Sequence, residues 1–140
     1  MTKEPKWTKG PLTDALFQRY MNAIRTKMKK LMLGDDYGHG DMIYEVRPRI
    51  VCEDGFEFSC QAGWGKYSCP RRDDSTSYSE WELGFPSKPF ICEEITGKSE
   101  GSQLTQTVYG YVPTSLIINE IERHGGIVKA ALSKALGETE

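Results

Sequence analysis

The side chains that most readily do chemistry are sparse in this chain. Cys52, Cys60, Cys69 and Cys92 are its cysteines, and His39 and His124 its histidines. No two cysteines stand as C-x-x-C, so neither a close-paired zinc site nor a redox dithiol is indicated. The thiols read as reduced, some of them packed in strands as small apolar groups. The sequence holds no G-x-S-x-G elbow, no P-loop, no H-E-x-x-H and no G-x-G-x-x-G. Nothing in it pairs a cysteine with a histidine as nucleophile and base. Glu80 and Glu82 alternate as on a solvated strand face rather than as paired acids. His39 stands with Asp35, Asp36 and Asp41 in GDDYGHGD, residues 34–41. Its glycines give metal ligands no fixed geometry. The expectation is a protein without catalytic residues, metal or cofactor.

A basic and aromatic set is more suggestive. Arg47 and Arg49 stand two apart in a strand-like run and so share one face. Lys66, Arg71 and Arg72 follow in GWGKYSCPRRDDSTS, residues 63–77, with Trp64 and Tyr67 among them. Guanidinium groups grip phosphate or carboxylate through paired N–H donors. Aromatic faces stack on bases or on cations. With the 63–77 loop folded over the preceding hairpin, these side chains would form a site for a nucleotide or a strand of nucleic acid. The competing reading pairs the arginines with the surrounding acids. A second candidate contact is the basic side of an N-terminal helix, with Arg25, Lys29 and Lys30.

The elements that must position these groups follow from spacing. Residues 1–11 read as a flexible arm. Thr13 or Asp14 can cap a helix, and Leu16, Phe17, Tyr20, Met21, Ile24, Met28 and Leu31 recur at helical spacing up to Gly34. Residues 42–52 read as a strand, with Pro48 marking an edge or bulge. Asp54-Gly55 signals a type I′ hairpin turn. Phe56, Phe58 and Cys60 then face inward, alternating with Glu57, Ser59 and Gln61. Trp81, Leu83 and Phe85 share a face of 78–85, and 86–105 is a loop too polar for the core. A strand at 106–112 leads through Pro113 into a helix with Leu116, Ile117 and Ile121, closed by His124-Gly125-Gly126. A last helical piece spans 127–136. Strand after strand without intervening helices predicts an α+β fold. It comprises an N-terminal amphipathic helix, an antiparallel sheet of three to four strands, and C-terminal helices packed on one side. The expected units are a basic arm and helix at 1–33, a linker at 34–41 and a core at 42–136.

With 140 residues and a hydrophobic fraction of 38%, the chain suits a single packed core. No apolar run approaches the ~18 residues of a membrane span. The basic N-terminus has no apolar segment behind it, so it does not read as a secretory signal; the expected location is cytoplasmic. The net charge of −2 hides an asymmetry: +6 over residues 1–33 against −8 over the remainder. A cationic arm on an acidic body suits an acidic partner, or the acidic surface of its own or a neighbouring chain. Association of two copies through the helix is one such arrangement.

The runs RPRIVCEDGFEFSCQAG, YSCPR, EWELGFPS and TVYGYVPTSLIINEIERHGGI, in that order over about 44–127, resemble a set of small proteins of tailed bacteriophages and prophages. That set carries a DG hairpin, a Y-x-S-P-R-like loop, a G-F/Y-P-S turn and a Y-x-Y-V-P strand-to-helix junction ending in H-G-G. Cys69 departs from the serine of its loop, and the helix at 12–33 has no counterpart there. The resemblance implies a phage accessory protein in the host cell cytoplasm, a host-takeover or anti-defence factor. It would bind and inhibit a host protein or protein–nucleic-acid complex without catalysis. The alternative is a protein that sequesters a phosphate-containing nucleotide signal. There Arg47, Arg49, Arg71 and Arg72 would hold phosphates, and Trp64 or Tyr67 would stack on the base.

Overall fold

In the computed structural model Thr13 Oγ1 accepts the backbone N–H of Leu16 at 3.2 Å, capping helix α1 (Asp14–Ile24). The structure describes residues 11–31 and 41–137, with 27–31 and 41–45 described by backbone alone. The 1–11 arm apart from Pro11, and the 34–41 linker apart from Asp41, therefore lie outside the described residues. Strands β1 (Thr26–Leu31), β2 (Asp41–Val46), β3 (Ile50–Val51), β4 (Glu57–Gln61) and β5 (Glu80–Gly84) follow α1. Helix α2 (Glu93–Thr96), strand β6 (Val108–Pro113) and helices α3 (Thr114–Arg123) and α4 (Lys129–Leu136) complete the order. Strands β3-β4-β5-β6 form an antiparallel sheet, and β1-β2 a separate antiparallel pair. The fold is α+β.

Helix α1 stops well short of Leu31. Arg25 is extended, and the next six residues pair with β2, from Thr26 opposite Val46 to Leu31 opposite Asp41. Strand pairing has overridden a spacing of apolar residues that fitted a helix. Leu16, Phe17, Tyr20 and Met21 are buried in the main core, Phe17 edge-on to Trp81 at 5.4 Å. The helix expected in an appended basic unit is thus built into the domain. Its apolar residues Leu16, Phe17, Tyr20 and Met21 are covered by the domain's own core.

The expected strand at 42–52 is broken over residues 47–49, where Pro48 has no N–H to offer a ladder. The hairpin turn at Asp54-Gly55 is present but is not type I′. Only Gly55 has positive φ (92°) there, Gly55 N–H donates to Cys52 O at 2.9 Å, and Cys52 N–H donates to Phe56 O at 2.8 Å. That is a type I turn closed by a glycine bulge.

The inner sheet face carries Ile50, Phe58, Cys60, Trp81, Leu83, Tyr109 and Val112. Phe85 leaves that face: its backbone turns left-handed (φ 48°) and the ring is exposed. Gln61, expected outward, is buried because its amide donates to Arg47 O and accepts from Arg47 N–H. The 86–105 segment does reach the core. Ile95 is buried, and the Phe90 ring meets those of Phe56, Phe58 and Tyr109. Single apolar residues in a polar stretch carry no period, so spacing could not reveal them. Both sheet edges are covered, β3 by Ile127 and Val128, β6 by Ser99, Glu100 and Tyr67. Among the described residues, no helix is long and apolar enough to cross a membrane.

Candidate recognition surface

The arginines of the expected site separate. Arg47 is only 2% exposed. Its Nε donates to Met21 O at 3.0 Å and its Nη1 to Ala62 O at 3.2 Å. Its guanidinium lies over the rings of Tyr78 and Trp81, at 5.6 and 5.3 Å. A cation so enclosed joins α1 to the sheet and cannot meet a ligand. Arg49 pairs with Glu57 at 2.7 Å and donates to Phe85 O at 2.7 Å. Glu57 begins β4 and Phe85 follows β5, so Arg49 sits at the end of the sheet opposite the 63–77 loop. The two arginines neither share a face nor join the loop cations.

The loop itself is held by α1. Gln18, Asn22 and Arg25 stand at i, i+4 and i+7 on one side of the helix. Gln18 exchanges hydrogen bonds with the backbone of Tyr78, Asn22 Nδ2 donates to Thr76 O, and Arg25 Nη1 donates to Ser75 O at 2.8 Å. Arg25 therefore positions the loop. Lys29 and Lys30 fall on β1, opposite Ile43 and Met42. Within the loop, the buried Ser68 hydroxyl bridges Gly63 N–H and Pro70 O. Asp73 Oδ1 accepts the Trp64 N–H at 3.1 Å.

These restraints present Trp64 (62% exposed), Tyr67 (39%) and, from β6, Tyr111 (39%) at the surface. Tyr111 sits in a β-bulge. Between the Trp81–Val112 and Leu83–Tyr109 pairs, Glu82 alone faces Gly110 and Tyr111. The bulge gives Tyr111 a left-handed φ of 53° and sends its N–H to Tyr67 O at 2.9 Å. Bulges re-aim side chains in this way. The Tyr67 and Tyr111 rings lie 5.8 Å apart, and the Arg71 guanidinium lies 5.6 Å over Tyr67. Gly110 lies beneath: a Cβ there would stand 3.1 Å from Tyr67 Cβ. Among the described residues, Lys66, Arg71 and Arg72 take part in no ion pair. The structure thus brings Trp64, Lys66, Tyr67, Arg71 and Arg72 onto one loop and adds Tyr111. An isolated glycine inside a strand pattern was the signal for that bulge.

A second cluster also escaped the sequence. His124 Nδ1 lies 2.7 Å from Asp54 Oδ2, and Nε2 lies 2.9 Å from Glu120 Oε2. Phe56 stacks on the imidazole at 3.9 Å. The buried Glu120 carboxylate also accepts the N–H groups of Ile91 and Cys92, and Asp54 Oδ1 that of Phe56. The Phe56 N–H, followed by His124, holds the Asp54 carboxyl below its usual range. Burial, followed by the charges of Asp54, Glu120 and Glu122, pushes the Cys52 thiol up to about 12. Both ring nitrogens and all four carboxylate oxygens are engaged, so the cluster clamps the β3–β4 turn to the end of α3. Its readable signal was Glu120, a carboxylate on the buried side of α3 between Ile117 and Ile121.

An open depression of about 380 Å³ lies nearby, lined by Ile91, Cys92, Glu93, Glu94 and Arg123. Among the described residues, no histidine or carboxylate is hydrogen-bonded to its thiol. Comparison with protein-family models, with curated proteins and with solved structures finds no match to this chain.

Proposed function

We propose that the protein is a non-catalytic recognition module, a phage accessory factor that binds and inhibits a host defence component in the host cytoplasm. Its contact face is the surface around Trp64, Tyr67, Tyr111 and Arg71. The observation that carries this reading is Tyr111, an aromatic residue held exposed in a left-handed bulge against Tyr67. That conformation costs about 1 kcal/mol or more in a non-glycine residue. The ring it places there is 39% exposed and packs on Tyr67 at the surface rather than in the core. Trp, Tyr and Arg are the side chains that most often anchor interfaces. Half-exposed rings suit a macromolecular face better than a pocket that encloses a small ligand. The resemblance to tailed-phage proteins supports a host component as the target, a protein or a protein–nucleic-acid complex.

Affinity capture from host lysate tests the reading. The wild-type chain should retain a dominant partner that a folded Trp64→Ala/Arg71→Ala variant releases; equal capture by both contradicts it. The cations Lys66, Arg71 and Arg72, in no ion pair among the described residues, favour one second reading, a nucleotide-signal binder. In that case nucleotides raise the melting temperature with the logarithm of ligand excess, and Arg71→Ala/Arg72→Ala abolishes the rise.

A further inference from the structure

We infer that the surface formed by Trp64, Tyr67, Tyr111, Lys66, Arg71 and Arg72 binds single-stranded nucleic acid. The inference rests on that surface being the contact face proposed above and names the chemistry of what it meets. Two exposed rings, Trp64 and Tyr111, offer flat faces, and unpaired bases stack on such faces whatever their sequence. Arg71 lies over the Tyr67 ring, which orients its guanidinium, and a guanidinium so placed keeps its N–H edge for a phosphate. Among the described residues, Lys66, Arg71 and Arg72 have no carboxylate partner, which leaves their charge available to a polyanion. The acids of the same loop do not supply it: Asp73 accepts the Trp64 N–H, and Asp74 has an interaction of its own.

A single strand fits better than a duplex. The bases of a duplex stack on one another, which hides their faces from Trp64 and Tyr111. The chain beyond residue 33 carries a net −8, which repels the broad footprint of a double helix. With three cations available, binding falls with salt on a shallow log–log slope of about −2.

The test is fluorescence anisotropy of fluorescein-labelled oligothymidylate titrated with the full chain. Binding is expected, with that salt slope and with weaker binding to a duplex of equal length. Trp64→Ala and Tyr111→Asn should each weaken it about tenfold or more. Arg71→Ala/Arg72→Ala should flatten the salt slope, and polyglutamate should not compete. Absence of binding overturns the inference, as does equal competition by polyglutamate, which would show a site for any polyanion. If the Trp64→Ala/Arg71→Ala variant loses its captured host partner while oligothymidylate does not bind, the recognition reading stands and this inference falls. If oligothymidylate binding needs the same residues while host capture does not, this inference stands and that reading falls.

Discussion

His124 lies 2.7 Å from Asp54 through one ring nitrogen and 2.9 Å from Glu120 through the other. One imidazole thereby joins the β3–β4 turn to the end of α3. Through Glu120, which accepts from Ile91 and Cys92, it also fixes the approach to α2. His124→Ala leaves the buried Glu120 without this partner and opens space beneath Phe56. The expected loss is on the order of 3 kcal/mol, read as a lower urea midpoint at unchanged slope.

Asp54 gives this clamp a pH dependence of known sign. Its carboxyl is depressed from an ordinary value of 3.8, first by the Phe56 N–H and then by His124. The stability it contributes is present above that ordinary value and is lost as the pH falls through the depressed one. Wild-type and Asp54→Asn chains should therefore differ in denaturation midpoint at neutral pH and converge in acid.

Two arginines that looked alike in sequence should behave oppositely. Arg47→Met strands the carbonyls of Met21 and Ala62 and empties the cation site over Tyr78 and Trp81. It should cost on the order of 3 kcal/mol. Arg71 lies exposed over Tyr67, and Arg71→Ala should change stability by no more than about 0.5 kcal/mol. Thermal melts of both variants check the contrast.

Alternating strands and the α3 helix were legible because each buries one face with a clear period: Phe56, Phe58 and Cys60 inward, then Ile117 and Ile121. The end of α1 was not, because Met28 and Leu31 continue a helical spacing in a segment that tertiary pairing makes a strand. Arg47 and Arg49 show the same limit. Spacing places side chains on a face only while the strand lasts, and it stops at Arg47-Pro48-Arg49. The loop cluster of Trp64, Lys66, Tyr67, Arg71 and Arg72 was readable because it is contiguous. Tyr111 and Glu120 left only local hints, the Gly110 interruption of a strand and a carboxylate on the apolar side of a helix, and the Asp54–His124 contact joins residues brought together only by the fold.

The cysteines should divide by burial. Cys69 is exposed, whereas Cys52 and Cys60 are buried. Burial raises both buried thiols, that of Cys52 to about 12, and thiolate is the reactive form. A disulfide-exchange reagent should label Cys69 in the native protein and reach Cys52 and Cys60 only on unfolding.

Tyr111→Asn offers the most direct measurement, because it separates a recognition role from a structural one on a single variant. Asparagine accepts the left-handed φ of 53° more readily than tyrosine. The melting temperature should therefore hold or rise while capture of the host partner is lost. A variant that melts as the wild type does and still captures the partner undiminished would contradict the assignment of this surface.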